Sequence, residues 1–131
     1  MANEELIIQL SIMEQKAQQI EQQLQLIDEN LIDLERLKDG LDELKNAKGK
    51  EIFASIGRGI FVKAKIDDEE ILTDVGGRNF VKKDLSETKK ILDEQSSKLS
   101  VVRDQLLQEL QTMNIEFQTM IEKIENEKKE D

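Results

Sequence analysis

The residues of this sequence that could most readily take part in chemistry are its carboxylates. The 131 residues include 29 Asp and Glu against 19 Lys and Arg, which gives a net charge of −10. Two carboxylates can divide acid and base roles when a cleft buries one of them and moves their pKa values apart. No pair is marked as buried by its sequence neighbours, so we expect the carboxylates to be solvated helix flanks.

The absent residue types exclude further chemistry. The chain has no His and no Cys, so it cannot form a Ser-His-Asp or Cys-His nucleophile, a His or Cys ligand for haem, or a zinc site of the usual kind. Without Cys it cannot form a disulfide, which fits a reducing compartment. We therefore predict no enzymatic activity, no cofactor and no metal site.

Two short motifs are better explained as turns than as ligand sites. Gly57-Arg58-Gly59 begins like a dinucleotide-binding fingerprint, but the position of the required third Gly is Val62. Residues 67–70 offer four carboxylates for a cation but lack the spacing and the Gly of an EF-hand. No Walker A sequence occurs, and the acidic charge disfavours nucleic acid as a partner.

The first third of the sequence has the heptad pattern of a coiled coil. Apolar residues step by four and three for four heptads, which is a period of 3.5 residues. They are Leu6, Leu10, Met13, Ala17, Ile20, Leu24, Ile27, Leu31 and Leu34. The next position is Lys38, and Leu37, Leu41 and Leu44 continue in a shifted register. We expect a helix over residues 1–48.

The last third repeats this pattern and predicts a second helix over residues 84–131. Asp84, with Glu87 three residues later, is typical of a capping box at a helix N-terminus. The heptad positions before a four-residue step are Leu85, Leu92, Gln95, Leu99, Val102 and Leu106. Those after it are Leu110, Met113, Phe117, Met120 and Ile124. Such a step is a stutter, which locally unwinds a coiled coil without breaking the helix.

The two heptad patterns match in length, so we expect the helices to pair antiparallel. Facing residues should then have numbers that sum to about 130, which pairs Met13 with Phe117 and Ala17 with Met113. The chain contains no Pro that would interrupt such helices. The predicted fold class is α+β, mainly α: a long antiparallel coiled-coil hairpin of two helices, with two β-hairpins at the connecting end.

The middle of the chain, residues 49–83, has the two-residue period of β-strands. The expected strands are residues 51–56, 60–66, 71–75 and 79–83, separated by Gly-containing or acidic turns. Four short strands cannot bury a useful core and leave edges unpaired, so this segment needs partner subunits. We expect one domain over residues 1–131.

The free ends of the two helices carry more apolar residues than the heptads require. Ile7, Ile8 and Ile12 lie off the pattern in the first helix, and Ile115 and Ile121 do so in the second. Two helices cannot cover these residues, so we expect an exposed patch for irregular apolar partners. Closure of the helix ends, or another helix packed there, is the structural alternative.

Two motifs in the strand region are specific enough to compare with a family. The first is Gly57-Arg58-Gly59 followed by an apolar strand with Lys63 and Lys65, and the second is Leu72-Thr73-Asp74-Val75-Gly76-Gly77. Both resemble the alpha-class subunits of prefoldin, and the order of helix, two β-hairpins and helix extends the resemblance over essentially the whole chain. The pair Arg78-Asn79 departs from the small or apolar residues common at that turn.

The resemblance implies a hexamer of two alpha-class and four beta-class subunits, which holds unfolded client proteins and passes them to a cytosolic chaperonin. The implied client-binding residues, at the free helix ends, are Leu6, Ile7, Ile8, Leu10, Ile12, Met13, Phe117, Met120, Ile121 and Ile124. The implied interface residues, in a β-barrel platform, are Ile52, Phe53, Ile56, Ile60, Val62, Ala64, Ile66, Ile71, Leu72, Val75, Phe80 and Val81.

We therefore predict an ATP-independent chaperone subunit in the cytoplasm, without covalent chemistry. No apolar run is long enough to span a membrane, and the acidic start lacks the basic residues of a secretory signal. The alternative from another functional class is a structural coiled-coil adaptor whose ends dock one defined partner.

Overall fold

Along the chain, a long helix is followed by two β-hairpins and then by a second long helix. The computed structural model describes the backbone of residues 2–130 and the side chains of residues 3–128. The elements are α1 (Ala2–Glu43), β1 (Glu51–Gly57), β2 (Ile60–Lys65), β3 (Ile71–Asp74), β4 (Phe80–Lys83) and α2 (Leu85–Glu130). The predicted α+β, mainly α class is confirmed, while Met1 and Asp131 lie outside the described residues.

The chain divides into two compact units. The helix-pair unit consists of the described parts of Met1–Leu31 and Ser97–Asp131, and the hairpin unit is Ile32–Ser96. The helix-pair unit therefore contains helix alone. The hairpin unit contains all four strands together with the adjoining parts of both helices.

The helix-pair unit is held together by one apolar seam. Ile20, Leu24 and Ile27 are buried by the facing helix. Further along, a cavity of about 130 Å³ is lined by residues that include Met13, Ala17, Met113 and Phe117. The structure thus brings together both residue pairs that antiparallel pairing predicts.

The seam of α2 differs from the predicted one. Its half-buried positions are Ser96, Leu99, Arg103, Leu106 and Leu110, which follow heptad spacing without a stutter after Leu106. The predicted seam residues Gln95 and Val102 are exposed, and both predictions were wrong. Arg103 takes the seam position because its Nε donates a 2.7 Å hydrogen bond to Asp28 Oδ1 on α1.

A lysine also occupies a seam position between the helices of the hairpin unit. The Lys38 side chain is only 19% exposed, and its Nζ lies 2.7 Å from Asp93 Oδ1 and 3.6 Å from Glu35 Oε2. Leu37, expected to continue the seam in a shifted register, is exposed instead. Leu41 and Leu92 are buried in the core of this unit.

Both helix ends next to the hairpins have defined backbone geometry. Helix α1 ends at Glu43, five residues before the expected boundary, and the chain then turns through Asn46 and Gly49, both with positive φ. At the start of α2, Asp84 Oδ1 accepts a 2.7 Å hydrogen bond from the Glu87 backbone N–H. The predicted N-cap is confirmed, because this bond satisfies an N–H group that the first turn leaves without a helical partner.

The first hairpin pairs β1 with β2 antiparallel. Ile52 opposes Ala64 and Ala54 opposes Val62, so these four side chains share one face of the sheet. The register shifts between Ser55 and Gly57, where a bulge precedes the turn. The turn requires left-handed backbone at Gly57, Arg58 and Gly59, which Gly adopts at little steric cost.

The second hairpin pairs β3 with β4, from Ile71 opposite Lys83 to Asp74 opposite Phe80. Its turn is closed by a 2.9 Å hydrogen bond from the Val75 N–H to the Asn79 carbonyl. Arg78 adopts a φ of 61° within this turn, a conformation that is uncommon for a residue with a Cβ.

Candidate functional site

The N-terminal part of α1 exposes large aliphatic side chains. Ile7 is 57% exposed, Ile8 is 59% and Ile12 is 48%. They lie off the heptad seam, so α2 cannot reach them, whereas the predicted seam residues Leu6, Leu10 and Met13 are half-buried. The expectation of uncovered apolar surface on this helix is therefore correct for the three off-seam residues.

The facing part of α2 contributes less exposed apolar surface than expected. Ile115 is 62% exposed, but Ile121 is half-buried. Ile121 follows Phe117 by one helical turn and flanks the seam, while Ile115 points away from it. Phe117, Met120 and Ile124, also named as client-binding residues, are half-buried in the seam.

We call Ile7, Ile8, Ile12 and Ile115 the terminal apolar surface. All four side chains are aliphatic and carry no hydrogen-bonding or titratable group. Such a surface can bind other apolar surface with little regard to its geometry, because the hydrophobic effect is non-directional. It can do no covalent chemistry.

Glutamates surround the terminal apolar surface. Residues 4–14 and 115–127, which we call the terminal segments, contain seven Glu and one Lys. The seven are Glu4, Glu5, Glu14, Glu116, Glu122, Glu125 and Glu127. All of them are exposed except Glu127, which is half-buried. Negative charge therefore predominates around the apolar side chains, and along the chain the nearest basic residue outside these segments is Lys16, one helical turn from Ile12.

The β-hairpins form a second exposed apolar surface. Nine of the twelve residues predicted for the subunit interface are exposed. They are Ile52, Phe53, Ile56, Ile60, Val62, Leu72, Val75, Phe80 and Val81. The remaining three, Ala64, Ile66 and Ile71, are half-buried. Phe53 alone is 73% exposed, and exposure of this kind over two short sheets is typical of a surface that another chain covers.

Part of the half-buried hairpin surface is covered within the chain. Ile52, Ile66 and Ile71 line a cavity of about 200 Å³ together with Leu44, which follows α1. A cavity of about 310 Å³ separates Ile71 from helix residues that include Leu41 and Leu92. Ile52, Ile66 and Ile71 therefore face other residues of the same unit.

Several exposed apolar residues of the helices were not predicted from the sequence to form part of a binding surface. They are Leu26, Ile32, Leu37, Val101, Val102 and Leu107. Most lie off the heptad seam, which is the signal that would have found them. They are spread along the middle of the helices and are not concentrated as at the helix termini.

Other candidate sites are weak. Among residues 2–130, no three His, Cys, Asp or Glu residues converge as a metal site would require. Neither helix, over its described residues, has the length and apolar character needed to cross a membrane. An open cavity of about 550 Å³ in the hairpin unit is lined by residues such as Lys45, Glu69 and Lys89, whose charges are mixed.

Comparison with known proteins shows similarity to one protein family. The model of the prefoldin subunit family matches residues 13–130. The chain is 28% identical over 89 residues to prefoldin subunit alpha of Methanosphaera stadtmanae, a match that covers 68% of this chain and 64% of that protein. It is 34% identical over 92 residues to prefoldin subunit alpha 1 of Thermococcus kodakarensis, covering 69% and 63%. The matches thus span just under two thirds of these two relatives.

The fold has also been seen before. A cryo-EM structure of filamentous PFD from Methanocaldococcus jannaschii superimposes with a TM-score of 0.75, covering 92% of this chain and 98% of that one. The two sequences are 17% identical, so this likeness concerns the fold alone. The family model and the alpha-class relatives confirm the predicted resemblance to prefoldin alpha subunits, and this structure confirms the predicted fold class.

Proposed function

This chain belongs to the prefoldin family, and we propose that it is the alpha-class subunit of an ATP-independent holdase chaperone. In this proposal the terminal apolar surface captures non-native proteins, and the bound client is later passed to a cytosolic chaperonin. The subunit performs no covalent chemistry, works in the cytoplasm, and requires neither nucleic acid nor membrane as a partner.

The observation that supports client capture most directly is the exposure of Ile7, Ile8, Ile12 and Ile115. Ile7, Ile8 and Ile12 lie within six residues of one helix, and soluble proteins rarely expose apolar side chains this closely spaced without a binding role. Aliphatic contacts are weak and unspecific, which suits clients that differ in sequence. Several copies of the surface in one assembly would bind a single client with greater avidity than one copy alone.

The exposed hairpins support the assembly. Each hairpin is an isolated two-stranded sheet with unpaired edges, and such sheets are marginally stable in water. We propose that beta-class prefoldin subunits cover this surface, with two alpha-class and four beta-class chains in the complex. The part of the first hairpin most suited to pack against them is the exposed pair Ile60 and Val62, which share one face of β2.

Client capture can be tested by replacing Ile7, Ile8 and Ile12 with Ser in the assembled complex. We expect the variant complex to lose most of its ability to suppress aggregation of unrelated unfolded proteins, measured by light scattering. The matched control is Leu26→Ser with Val101→Ser, which removes similarly exposed residues of the same unit at the end away from the helix termini. We expect the control to retain suppression.

The same measurement separates a chaperone from a structural adaptor. A holdase should lose activity towards every client tested, whereas an adaptor would lose affinity for one protein and would not have suppressed aggregation at all. Undiminished suppression by the triple variant, with the complex intact by native mass measurement, would remove the terminal apolar surface from the mechanism.

A further inference from the structure

We propose that the terminal apolar surface selects client segments in which apolar residues are flanked by Lys or Arg. This inference rests on the proposed function, because it specifies the chemistry of the client that the same surface binds. It follows from the distribution of charge around the four exposed isoleucines.

Negative charge is concentrated in the helix-pair unit. Met1–Leu31 and Ser97–Asp131 contain 14 acidic and 6 basic residues, a net charge of −8. Ile32–Ser96 contains 15 acidic and 13 basic residues, a net charge of −2. The terminal segments alone have a net charge of −6, from seven Glu and one Lys.

The glutamates are close to the exposed isoleucines along each helix. Glu5 precedes Ile8 by three residues, and these positions neighbour each other on a helix surface. On α2, Glu122 follows Ile115 by two turns and so lies on the same face of the helix, whereas Glu116 neighbours Ile115 in sequence only. A client segment that covers the terminal apolar surface must therefore place its own flanking residues beside carboxylates.

Most of these carboxylates are not neutralised within the chain. Among the described residues, Glu5, Glu14, Glu116, Glu122 and Glu125 form no ion pair. The ion pair of Asp28 with Arg103 lies outside the terminal segments. The glutamates remain available to a cation that arrives with the client.

This arrangement discriminates by attraction and by repulsion. Lys and Arg can lay their aliphatic stems on the isoleucines while their charged groups reach the glutamates. Acidic flanks would be brought close to like charges, which weakens the binding of an otherwise equal apolar segment. The chain has no Trp or Tyr, so carboxylates, not aromatic faces, are the main groups that can attract the cation.

The test uses the full complex and three fluorescent peptides with one apolar core, flanked by Lys, Gln or Glu. We expect the Lys-flanked peptide to bind about tenfold more tightly than the Glu-flanked peptide at low salt, since several exposed charge pairs each contribute modestly. The difference should shrink as added salt shortens the range of the charges. Fluorescence anisotropy gives the three dissociation constants.

A charge-reversed variant shows whether the terminal glutamates cause the ranking. We expect Glu5→Lys with Glu116→Lys and Glu122→Lys to reverse it, while the Gln-flanked peptide binds as before. The matched control reverses Glu21, Glu29 and Glu109, which are exposed in the middle of the same unit. We expect the control to keep the original ranking.

The outcomes are distinguishable. Equal binding of all three peptides would overturn the charge selection and leave the proposed apolar capture intact. An equal effect of the control variant would also overturn it, because net charge and not the terminal segments would then be responsible. Failure of even the Gln-flanked peptide to bind would contradict apolar capture itself, and with it the inference that rests on it.

Discussion

At the scale of single residues, two cations occupy seam positions that apolar residues hold elsewhere. Arg103 faces Asp28 in the helix-pair unit, and Lys38 faces Asp93 in the hairpin unit. The hydrogen bond that Lys38 donates to Asp93 raises the pKa of Lys38 above the ordinary value of 10.5. The negative charges of Asp93 and Glu35 act in the same direction. The stabilisation from Lys38 is thus fully present below about pH 10.5, and it is lost as the pH rises through the raised pKa.

Replacement of Lys38 by Leu should raise the thermal stability of the chain. A polar residue at a seam position lowers the stability of a coiled coil, and an ion pair whose acidic partners are solvent-exposed contributes little to offset this. We expect the melting temperature to rise by a few degrees, and the alkaline loss of stability to become smaller. Circular dichroism at pH 8 and pH 11 measures both.

Arg36→Leu is the matched control for this substitution. Arg36 is exposed two residues away on the same helix, so its replacement should leave the melting temperature nearly unchanged. A fall in the melting temperature for Lys38→Leu would mean that its ion pair with Asp93 outweighs the apolar packing of a seam leucine.

At the scale of elements, the same residue type has opposite effects in a helix and in a turn. Gly40 lies inside α1, and a Cβ added there would meet no atom within 4 Å. Gly57 ends β1 with a φ of 116°, a conformation that residues with a Cβ rarely adopt. The helix therefore loses stability from its Gly, while the hairpin turn depends on its own.

These two glycines give a matched pair of substitutions. We expect Gly40→Ala to stabilise the protein by roughly 0.5–1 kcal/mol, through helix propensity alone. Gly57→Ala should destabilise it by roughly 1–2 kcal/mol, because the added methyl strains the left-handed backbone. Denaturant unfolding measures both changes, and a stabilising Gly57→Ala would contradict the observed turn geometry.

At the scale of the whole molecule, the exposed hairpins indicate that the chain alone is an incomplete structure. Ile60 and Val62 are 58% and 46% exposed, and they point to the face that we assign to partner subunits. Ile66 is less suitable as a probe of assembly, because it lines a cavity with Leu44 inside the chain. Substitutions at the two exposed positions therefore test the interface and spare the fold.

We expect Ile60→Asp with Val62→Asp to release the subunit from its complex. Burying two carboxylates without partners in an apolar interface costs several kcal/mol, which is more than such an interface can readily offset. Sedimentation should show monomers, while circular dichroism keeps the helical signal. Lys63→Gln, on the opposite face of β2, should leave the complex intact, and an intact complex for the double variant would refute the interface.

The sequence predicted most of the fold for local reasons. The heptads of α1 up to Leu34, the four strands and the N-cap at Asp84 depend on side chains within a few residues of one another. The exposure of Ile7, Ile8 and Ile12 could also be predicted, because a residue off the seam of a two-helix pair has nothing to cover it. Client capture and the subunit interface stay predictions, because both depend on contacts with other chains.

The sequence pattern failed where a choice depended on the facing helix. It assigned Leu37 and Val102 to the seams because they are apolar. Successive residues of a helix are rotated by about 100°, so a rotation that buried Leu37 or Val102 would move the other seam residues out of the seam. The other seam residues fix the rotation of each helix, which leaves Lys38 and Arg103 at seam positions. Their long side chains make this tolerable, since each reaches a carboxylate at the seam edge.

By itself, then, the sequence determined the types of the elements, their order and the direction in which the helices pair, because these follow from the spacing of residues close in the chain. Only the tertiary structure decided that Lys38 keeps its heptad position while Leu37 is exposed, and that Arg103 replaces Val102 in the seam of α2. It also decided that Ile121 is half-buried while Ile115 is exposed, and that Arg78 adopts left-handed backbone in its turn. Each of these depends on groups brought together by packing or by turn closure, which residue spacing does not specify.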